Sequence, residues 1–313
     1  MLNRRQLRIK VLEVVYAYDK SSEKDLEFQI KYFLKSNQNF YKLYITCFSL
    51  LNELLFFSKN LHSKNQNKYL INEKDFSLGR FCNNQILNKI FESDWLNQKI
   101  NDFEIDYWSN YSELIFSVWK DIIDSEISLK YFKITSSSFE SDQSYLINIY
   151  RKSIAPNKKL YEFFEDKEIS WINDLPLVNS LVLSSIKNMK KNSKKFLFMK
   201  DIYKNKEDAD FGVHLIKKVI ENKSFLEDEI SKVTLNWDND RIAQIDLLLL
   251  QMCLAEFLYF KSIPVKVSIN EYLEIAKEYS SKKSNVFING ILDKLSKNYI
   301  KQGTLKKNKR GLQ

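Results

Sequence analysis

The chain has 313 residues and a formal net charge of +9, with 49 Lys and Arg against 40 Asp and Glu. It has only 5 glycines and 3 prolines, where roughly 7% and 5% are usual, which disfavours β-sandwiches, Rossmann sheets and phosphate-binding loops because these need many positive-φ positions. With 2 histidines and 3 widely spaced cysteines, disulfide frameworks, metal sites and His-based triads are disfavoured, and we expect no metal and no cofactor.

Hydropathy favours a soluble chain. The most apolar stretch, residues 43–57, contains Asn52 and Glu53, so no run of about 18 apolar residues is free of polar side chains, as a membrane helix would require. We predict an all-α, cytoplasmic protein without a membrane segment.

Residues 4–18 predict the first helix, since their apolar residues recur at helical spacing. Arg4, Arg5 and Arg8 stand near its start, which is the unfavourable end for cations in the field of a helix. The arginines could therefore face an anion. A solubilising cationic terminus is the alternative.

Several helical patterns occupy residues 21–205 without a fixed repeat. We predict loops at 62–73 and 136–144, a possible helix break at 36–39, and helices near these ranges: 24–61, 84–103, 107–123, 144–153, 158–165 and 174–190. Six lysines within residues 187–200 could follow a phosphate backbone, although a solvated surface is the commoner role of such a run.

The last hundred residues carry clear helix signals. Residues 208–233 predict one helix, and Asp238 or Asn239 can cap the next. Ser268 and Glu271 have the spacing of a capping box, and Ser284 can cap the final helix. Gly290 lies inside that helix at a cost of about 1 kcal/mol relative to Ala, which suggests a close backbone approach there.

Residues 237–295 carry a series of motifs: an acid that opens a Leu-rich helix, a Glu near its end, and then matches to I-P-x-x-V-x-I-N-E, E-x-A-K and S-x-x-F-V-N-G-x-L-D. With this spacing the segment resembles the C-terminal half of the transcription antitermination factor NusB. The matching positions are Asp246, Glu256, Ile263, Pro264, Val267, Ile269, Asn270, Glu271, Glu274, Ala276, Lys277, Ser284, Phe287, Asn289, Gly290, Leu292 and Asp293. At the N-terminus, R-R-x-x-R and Tyr16 resemble the family's first helix.

The resemblance implies a NusB-like helical bundle with a large additional helical region, because family members are commonly much shorter. We divide the chain into the Arg-rich helix (1–20), an extended helical region of unassigned role (21–205), the NusB-like C-terminal domain (206–300) and a basic, disordered tail (301–313).

The family's function implies a non-catalytic RNA-binding factor for this chain. Its members bind boxA-type single-stranded RNA together with ribosomal protein S10, also called NusE, and join the elongating RNA polymerase on ribosomal RNA operons. On this basis the candidate RNA-binding residues are Arg4, Arg5, Arg8, Lys277, Phe287 and Asn289. The candidate partner-binding residues are Asp246 and Glu256, and the candidate structural residues are Ser268, Glu271 and Gly290.

Most of these residues have a plainer interpretation. Phe287 could be a core aromatic, Lys277 could be solvated, and either Asp246 or Glu256 taken alone could be a solvated acid. Arginine nevertheless suits RNA, because its planar guanidinium can bond a phosphate in two places and stack on bases.

Two other function classes compete. A similar helical domain precedes the catalytic domain of certain ribosomal RNA cytosine methyltransferases, but here 13 residues follow residue 300, no cysteine follows a proline, and no G-x-G occurs. The second is a helical interaction scaffold that has lost RNA binding, against which the retained Arg4, Arg5 and Arg8 argue.

Overall fold

The computed structural model describes residues 1–66, 73–134, 138–193, 195–234 and 242–311, and every regular element in those residues is a helix. The predicted all-α class is thereby confirmed. The chain forms two compact units: unit 1 combines Met1–Ser36 with Asp201–Gln313, and unit 2 is Asn37–Lys200. The predicted boundaries were 20/21 and 205/206.

Unit 1 consists of six helices and the first part of a seventh, among the residues described. They are α1 (Arg4–Lys20), the start of α2 (Leu26–Gln66), α11 (Lys206–Glu221), α12 (Lys223–Val233), α13 (Gln244–Tyr259), α14 (Val265–Tyr279) and α15 (Lys282–Lys301).

Helix α13 lies at the centre of unit 1 and contacts α1, α11, α12, α14 and α15. Its residues from Leu248 to Phe257 are all buried, as expected for a helix that is apolar on every side. Two buried carboxylates, Asp246 and Glu256, lie on this same helix. Such groups must be paired or hydrogen-bonded. We therefore expect cations or hydrogen-bond donors from neighbouring segments next to Asp246 and Glu256.

Unit 2 contains the rest of α2 and eight further α-helices within the described residues. They are α3 (Glu73–Cys82), α4 (Gln85–Phe91), α5 (Asp94–Asp102), α6 (Ser112–Ile123), α7 (Glu126–Phe132), α8 (Phe139–Ile149), α9 (Lys158–Lys167) and α10 (Trp171–Asn188). A 3₁₀ helix covers Tyr107–Asn110, and a π-helix covers Tyr150–Ile154.

Three tryptophans attach the helices of unit 2 to α2. The indole nitrogens of Trp108 and Trp119 donate to Ser49 Oγ at 2.9 Å and Ser58 Oγ at 2.7 Å. That of Trp171 donates to a backbone oxygen of α2 at 3.0 Å. Each bond satisfies the polar end of a large apolar side chain.

Helix α2 is the one described helix that is long and apolar enough, over Leu26–Lys64, to cross a membrane by length and composition. Of its most apolar window, 72% is buried inside the protein, which is the pattern of a core helix.

Several predicted boundaries were wrong for local reasons. Helix α2 has no break at 36–39 and continues to Gln66. Ser36 accepts a hydrogen bond from Lys10 Nζ at 3.0 Å. A serine at this place in the sequence suggests a turn, but in the structure its side chain joins α2 to α1. The predicted helix 84–103 is two helices, because Ser93 caps α5. The predicted helix 208–233 divides at Asn222, whose side chain bonds the Lys218 carbonyl and so competes with the helical backbone.

The serine-rich stretch predicted as a loop begins a helix instead. Ser138 and Ser141 form a capping box, and α8 starts at Phe139. Ser281, not Ser284, caps the last helix. The predicted caps Asp238 and Asn239 lie outside the described residues.

Candidate nucleic-acid interface

The Arg-rich start of α1 is held by its own cap and by acids from three other helices. Asn3 caps α1 in a capping box with Gln6. No acid stands in the first turn of α1, so the arginines there find their counter-charges on α11, α13 and α14.

Arg8 is buried and paired with Glu256 of α13. The side chain of Arg8 is 2% exposed and that of Glu256 is 0% exposed. Arg8 Nε donates to Glu256 Oε1 at 2.6 Å, and Nη2 donates to Oε2 at 2.9 Å. Glu256 also accepts from Ser268 Oγ and Tyr272 OH, each at 2.8 Å. Every charge in this cluster is therefore compensated without solvent.

The pKa shifts follow from this geometry. Burial acts to lower the pKa of Arg8, but the attraction of Glu256 and its hydrogen bonds outweigh burial and raise it. Burial raises the pKa of Tyr272 well above its ordinary value, and the charge of Glu256 raises it further. Arg8 and Glu256 thus form a buried ion pair.

Arg5 forms a second fork-to-fork pair nearer to the surface. Its Nε and Nη2 donate to Glu271 Oε2 at 3.0 Å and Oε1 at 2.8 Å. The side chain of Arg5 is 37% exposed. Hydrogen bonding by Arg5 lowers the pKa of Glu271, although burial opposes the shift.

Arg4 turns toward the start of α11. It lies 2.8 Å from both Glu207 Oε1 and Asp208 Oδ1, and its side chain is 22% exposed. Its guanidinium carbon lies 5.3 Å from the ring centroid of Phe211. Sequence reasoning missed Glu207 and Asp208. The sequence pattern that could have identified them is a pair of acids in the first turn of a helix that Asn205 caps.

These arginines line one cleft of about 820 Å³ in unit 1. Its wall includes Arg4, Arg5, Arg8, Lys204, Asn205, Glu207, Asp208, Pro264, Val267, Glu271 and Arg310. Sequence reasoning also missed Lys204, because it belongs to no recognisable motif, whereas Arg310 belongs to the basic tail that could add non-specific attraction to nucleic acid.

The other predicted RNA-binding residues are not among those that line the cleft. Lys277 is exposed on α14 and pairs with Glu274. On α15, Phe287 is half-buried and Asn289 is exposed. Their predicted contacts with RNA stay predictions.

Four predictions about single residues change. Asp246 and Glu256 are buried, Asp246 accepting from Ser280 Oγ, so neither offers a surface to a partner or to solvent. Arg8, buried by Glu256, has a structural role in place of a contact with RNA. Among the described residues, no atom lies within 4 Å of a Cβ placed on Gly290, so no described backbone approaches it closely.

Ser268 and Glu271 are structural, but not as a capping box. Pro264 precedes the first residue of α14, so Ser268 lies inside the helix. Its hydroxyl donates to Glu256, and Glu271 accepts from Arg5. Both side chains therefore bind the arginine cluster.

Nothing among the described residues assembles three His, Cys, Asp or Glu side chains that could hold a metal ion. Cys47, Cys82 and Cys253 are free and buried. Burial raises the pKa of the Cys47 thiol to about 12, which leaves it protonated near neutral pH and unreactive.

Comparison with known proteins points to one family. Residues 177–297 match the NusB family, so the match begins about thirty residues before the predicted C-terminal domain of residues 206–300. Three curated relatives are named transcription antitermination protein NusB. The protein from Chloroherpeton thalassium is 41% identical over 118 residues, which is 38% of this chain and 56% of the relative. The protein from Clostridium kluyveri is 43% identical over 32% of this chain and 62% of its own length. The protein from Salinibacter ruber is 41% identical over 33% of this chain and 64% of its own length.

The chain thus spans between half and two thirds of the length of the curated relatives it matches. A solved structure of T. maritima NusB is 29% identical, with a TM-score of 0.29, and the match covers 47% of this chain and 89% of that one. Residues 177–297 of this chain are thus similar to the NusB family and to these curated antitermination proteins.

Proposed function

We propose that this protein is a non-catalytic, RNA-binding transcription antitermination factor that acts in the cytoplasm. It binds boxA-like single-stranded RNA together with ribosomal protein S10 (NusE), joins the RNA polymerase elongation complex and promotes elongation through ribosomal RNA operons. The observation that carries the proposal is a cleft lined by arginines inside a chain whose relatives are named antitermination proteins.

Arg5 is the residue best placed to exchange an internal partner for RNA. Its guanidinium holds the Glu271 carboxylate by two parallel hydrogen bonds, which is also the geometry in which arginine holds a phosphate. The pair is half-exposed, so separating it costs about 1 kcal/mol or less. A phosphate could therefore replace Glu271 without rearrangement of α1.

Arg4 is the second candidate, because its side chain lines the same cleft and is partly exposed. Arg8 would act indirectly. Its buried pair with Glu256 joins α1 to α13 and so holds Arg4 and Arg5 at the cleft.

The test is fluorescence anisotropy with a boxA-like strand and a scrambled strand, with and without S10. Arg5→Ala is compared with Lys217→Ala, which removes an exposed lysine of α11 that does not line the cleft. We expect preference for the boxA-like strand, a stronger preference with S10, and weaker binding in Arg5→Ala alone.

Equal affinity for both strands would reduce the protein to a general basic RNA binder. Absence of binding at low salt, with S10 present, would overturn the proposal in favour of a helical scaffold that has lost RNA binding.

A further inference from the structure

Residues 302–311, which follow α15, are docked against unit 1; we call them the docked segment. Lys307 Nζ donates to the carbonyl oxygens of Glu256 at 3.1 Å and Phe260 at 2.9 Å. The Asn308 amide donates to the Lys261 carbonyl at 3.0 Å. Sequence reasoning predicted a disordered tail here, but these bonds hold the segment to carbonyls at and just after the end of α13, in addition to the bonds that the Phe260 and Ile263 amides donate to Glu256 and Phe260.

Gly311 fits the docked segment tightly against Lys261, which follows α13. A Cβ at this position would lie 2.2 Å from the Lys261 carbonyl oxygen, far inside van der Waals contact. Any larger residue must therefore displace the segment. We therefore expect docking of the segment to require a glycine at position 311.

Docking brings Arg310 to the wall of the cleft. Its Nη1 lies 3.7 Å from Glu207 Oε2, while Arg4 Nη2 lies 2.8 Å from Glu207 Oε1. Arg4 is also paired with Asp208 at 2.8 Å, whereas Arg310 has only this longer contact with Glu207 among the ion pairs of the described residues. Since the Arg310 side chain is 67% exposed, it keeps donors available to an anion.

Lys204 lines the same cleft and is exposed. No ion pair engages it within the described part of the chain. Arg8 is neutralised by Glu256, and Arg4 and Arg5 by acids at 2.8 Å. The two least compensated cations of the cleft are therefore Lys204 and Arg310.

We propose that Lys204 and Arg310 bind backbone phosphates of the RNA, and that the docked segment is a part of the RNA interface. This inference rests on the proposed function. It assigns contacts to a segment outside the family match, which ends at residue 297.

The test measures RNA affinity and its salt dependence for two pairs of variants. Lys204→Ala is matched by Lys206→Ala, and Arg310→Ala by Lys309→Ala; both controls remove an exposed cation nearby that does not line the cleft. For single strands the log–log salt slope changes by about 0.7 per phosphate contact. Each cleft variant should therefore lose about fourfold in affinity at 0.15 M salt, and each control should bind like the unaltered protein.

Gly311→Ala tests docking without changing any charge. If the position of Arg310 matters, Gly311→Ala should lose about as much affinity as Arg310→Ala. Circular dichroism would show that its helices persist.

The two proposals fail in different ways. If Arg5→Ala weakens binding while Lys204→Ala, Arg310→Ala and Gly311→Ala bind normally, the docked segment is not an RNA contact and this inference is overturned. If the unaltered protein binds no RNA with S10 present, the proposed function itself fails.

Discussion

At the scale of single residues, the environment of Glu256 is the most demanding in unit 1. Its two oxygens accept from Arg8, Ser268 and Tyr272, and none of these four side chains is exposed beyond a few per cent. A buried ion pair gains little over a packed apolar pair, but removal of one partner leaves an uncompensated charge. Arg8 should therefore be one of the least replaceable residues of α1.

Arg8→Ala should lower the free energy of unfolding by about 3 kcal/mol, the lower end of what breaking a buried pair costs. Urea denaturation followed by circular dichroism would measure it. Lys206→Ala, at an exposed position, should change the value by less than about 0.5 kcal/mol. A small effect of Arg8→Ala would show that water reaches Glu256.

The pair of Arg5 and Glu271 predicts a dependence of stability on pH. The pKa of Glu271 is lowered from its ordinary value of 4.5, so its contribution to stability is complete above that value. It is lost as the pH falls through the lowered pKa of the folded state.

The difference in unfolding free energy between the unaltered protein and Glu271→Gln should therefore be constant near neutral pH and shrink below about pH 4.5. Arg5→Ala removes the same pair and should show the same window. Urea titrations at several pH values would measure both, and a difference that does not shrink as the pH falls below 4.5 would contradict the assignment.

The sequence identified Ser268 and Glu271 as important but misassigned their partners. Their spacing matches a capping box, which is a local pattern. The actual partners are Glu256 on the preceding helix and Arg5, 266 residues away in sequence. A contact between residues so far apart in the sequence produces no periodic pattern that a single sequence could show.

At the scale of elements, helix lengths were predicted less well than helix positions. Polar residues interrupt the apolar pattern of α2 near position 36 and predict a break, yet Lys10 bonds Ser36 and the helix continues. Asn222, by contrast, divides a pattern that predicts one helix. In both cases a side-chain hydrogen bond in the folded protein accounts for whether the helix continues or ends.

Two helical glycines should respond to alanine in opposite directions. At Gly212 of α11, a Cβ would lie 2.1 Å from Cζ of Phe33, a fully buried ring that cannot move aside freely. At Gly290 of α15, no atom of the described part of the chain would lie within 4 Å of the added Cβ. Overpacking therefore opposes the substitution only at position 212.

Gly212→Ala should lower the unfolding free energy by about 1–3 kcal/mol, while Gly290→Ala should raise it by about 0.8 kcal/mol through helix propensity. Thermal denaturation of the two variants side by side would measure this. If Gly290→Ala lowered the unfolding free energy instead, that result would support the close backbone approach that the sequence suggested.

At the scale of the whole molecule, the net charge of +9 attracts any polyanion but does not distinguish one RNA sequence from another. The charge and the family resemblance were readable from the sequence. The cleft was not, because the acids that surround its arginines come from segments about 200 to 270 residues away.

Affinities for boxA-like and scrambled RNA should both fall with salt, with log–log slopes of about −2 to −3 for three or four phosphate contacts. Their ratio should stay nearly constant, because base contacts release few counterions. Anisotropy titrations from 50 to 300 mM salt would measure both slopes. A ratio that collapses with salt would mean that the preference is itself electrostatic.

The pairing of Arg8 with Glu256 also bears on synthesis at the ribosome. The two residues are 248 positions apart, and chains grow at about 5–20 residues per second. Helix α1 is therefore made roughly 12 to 50 s before the carboxylate that neutralises it. Throughout that interval Arg5 and Arg8 lack their final partners, so the first helix of unit 1 to be translated is among the last to be secured.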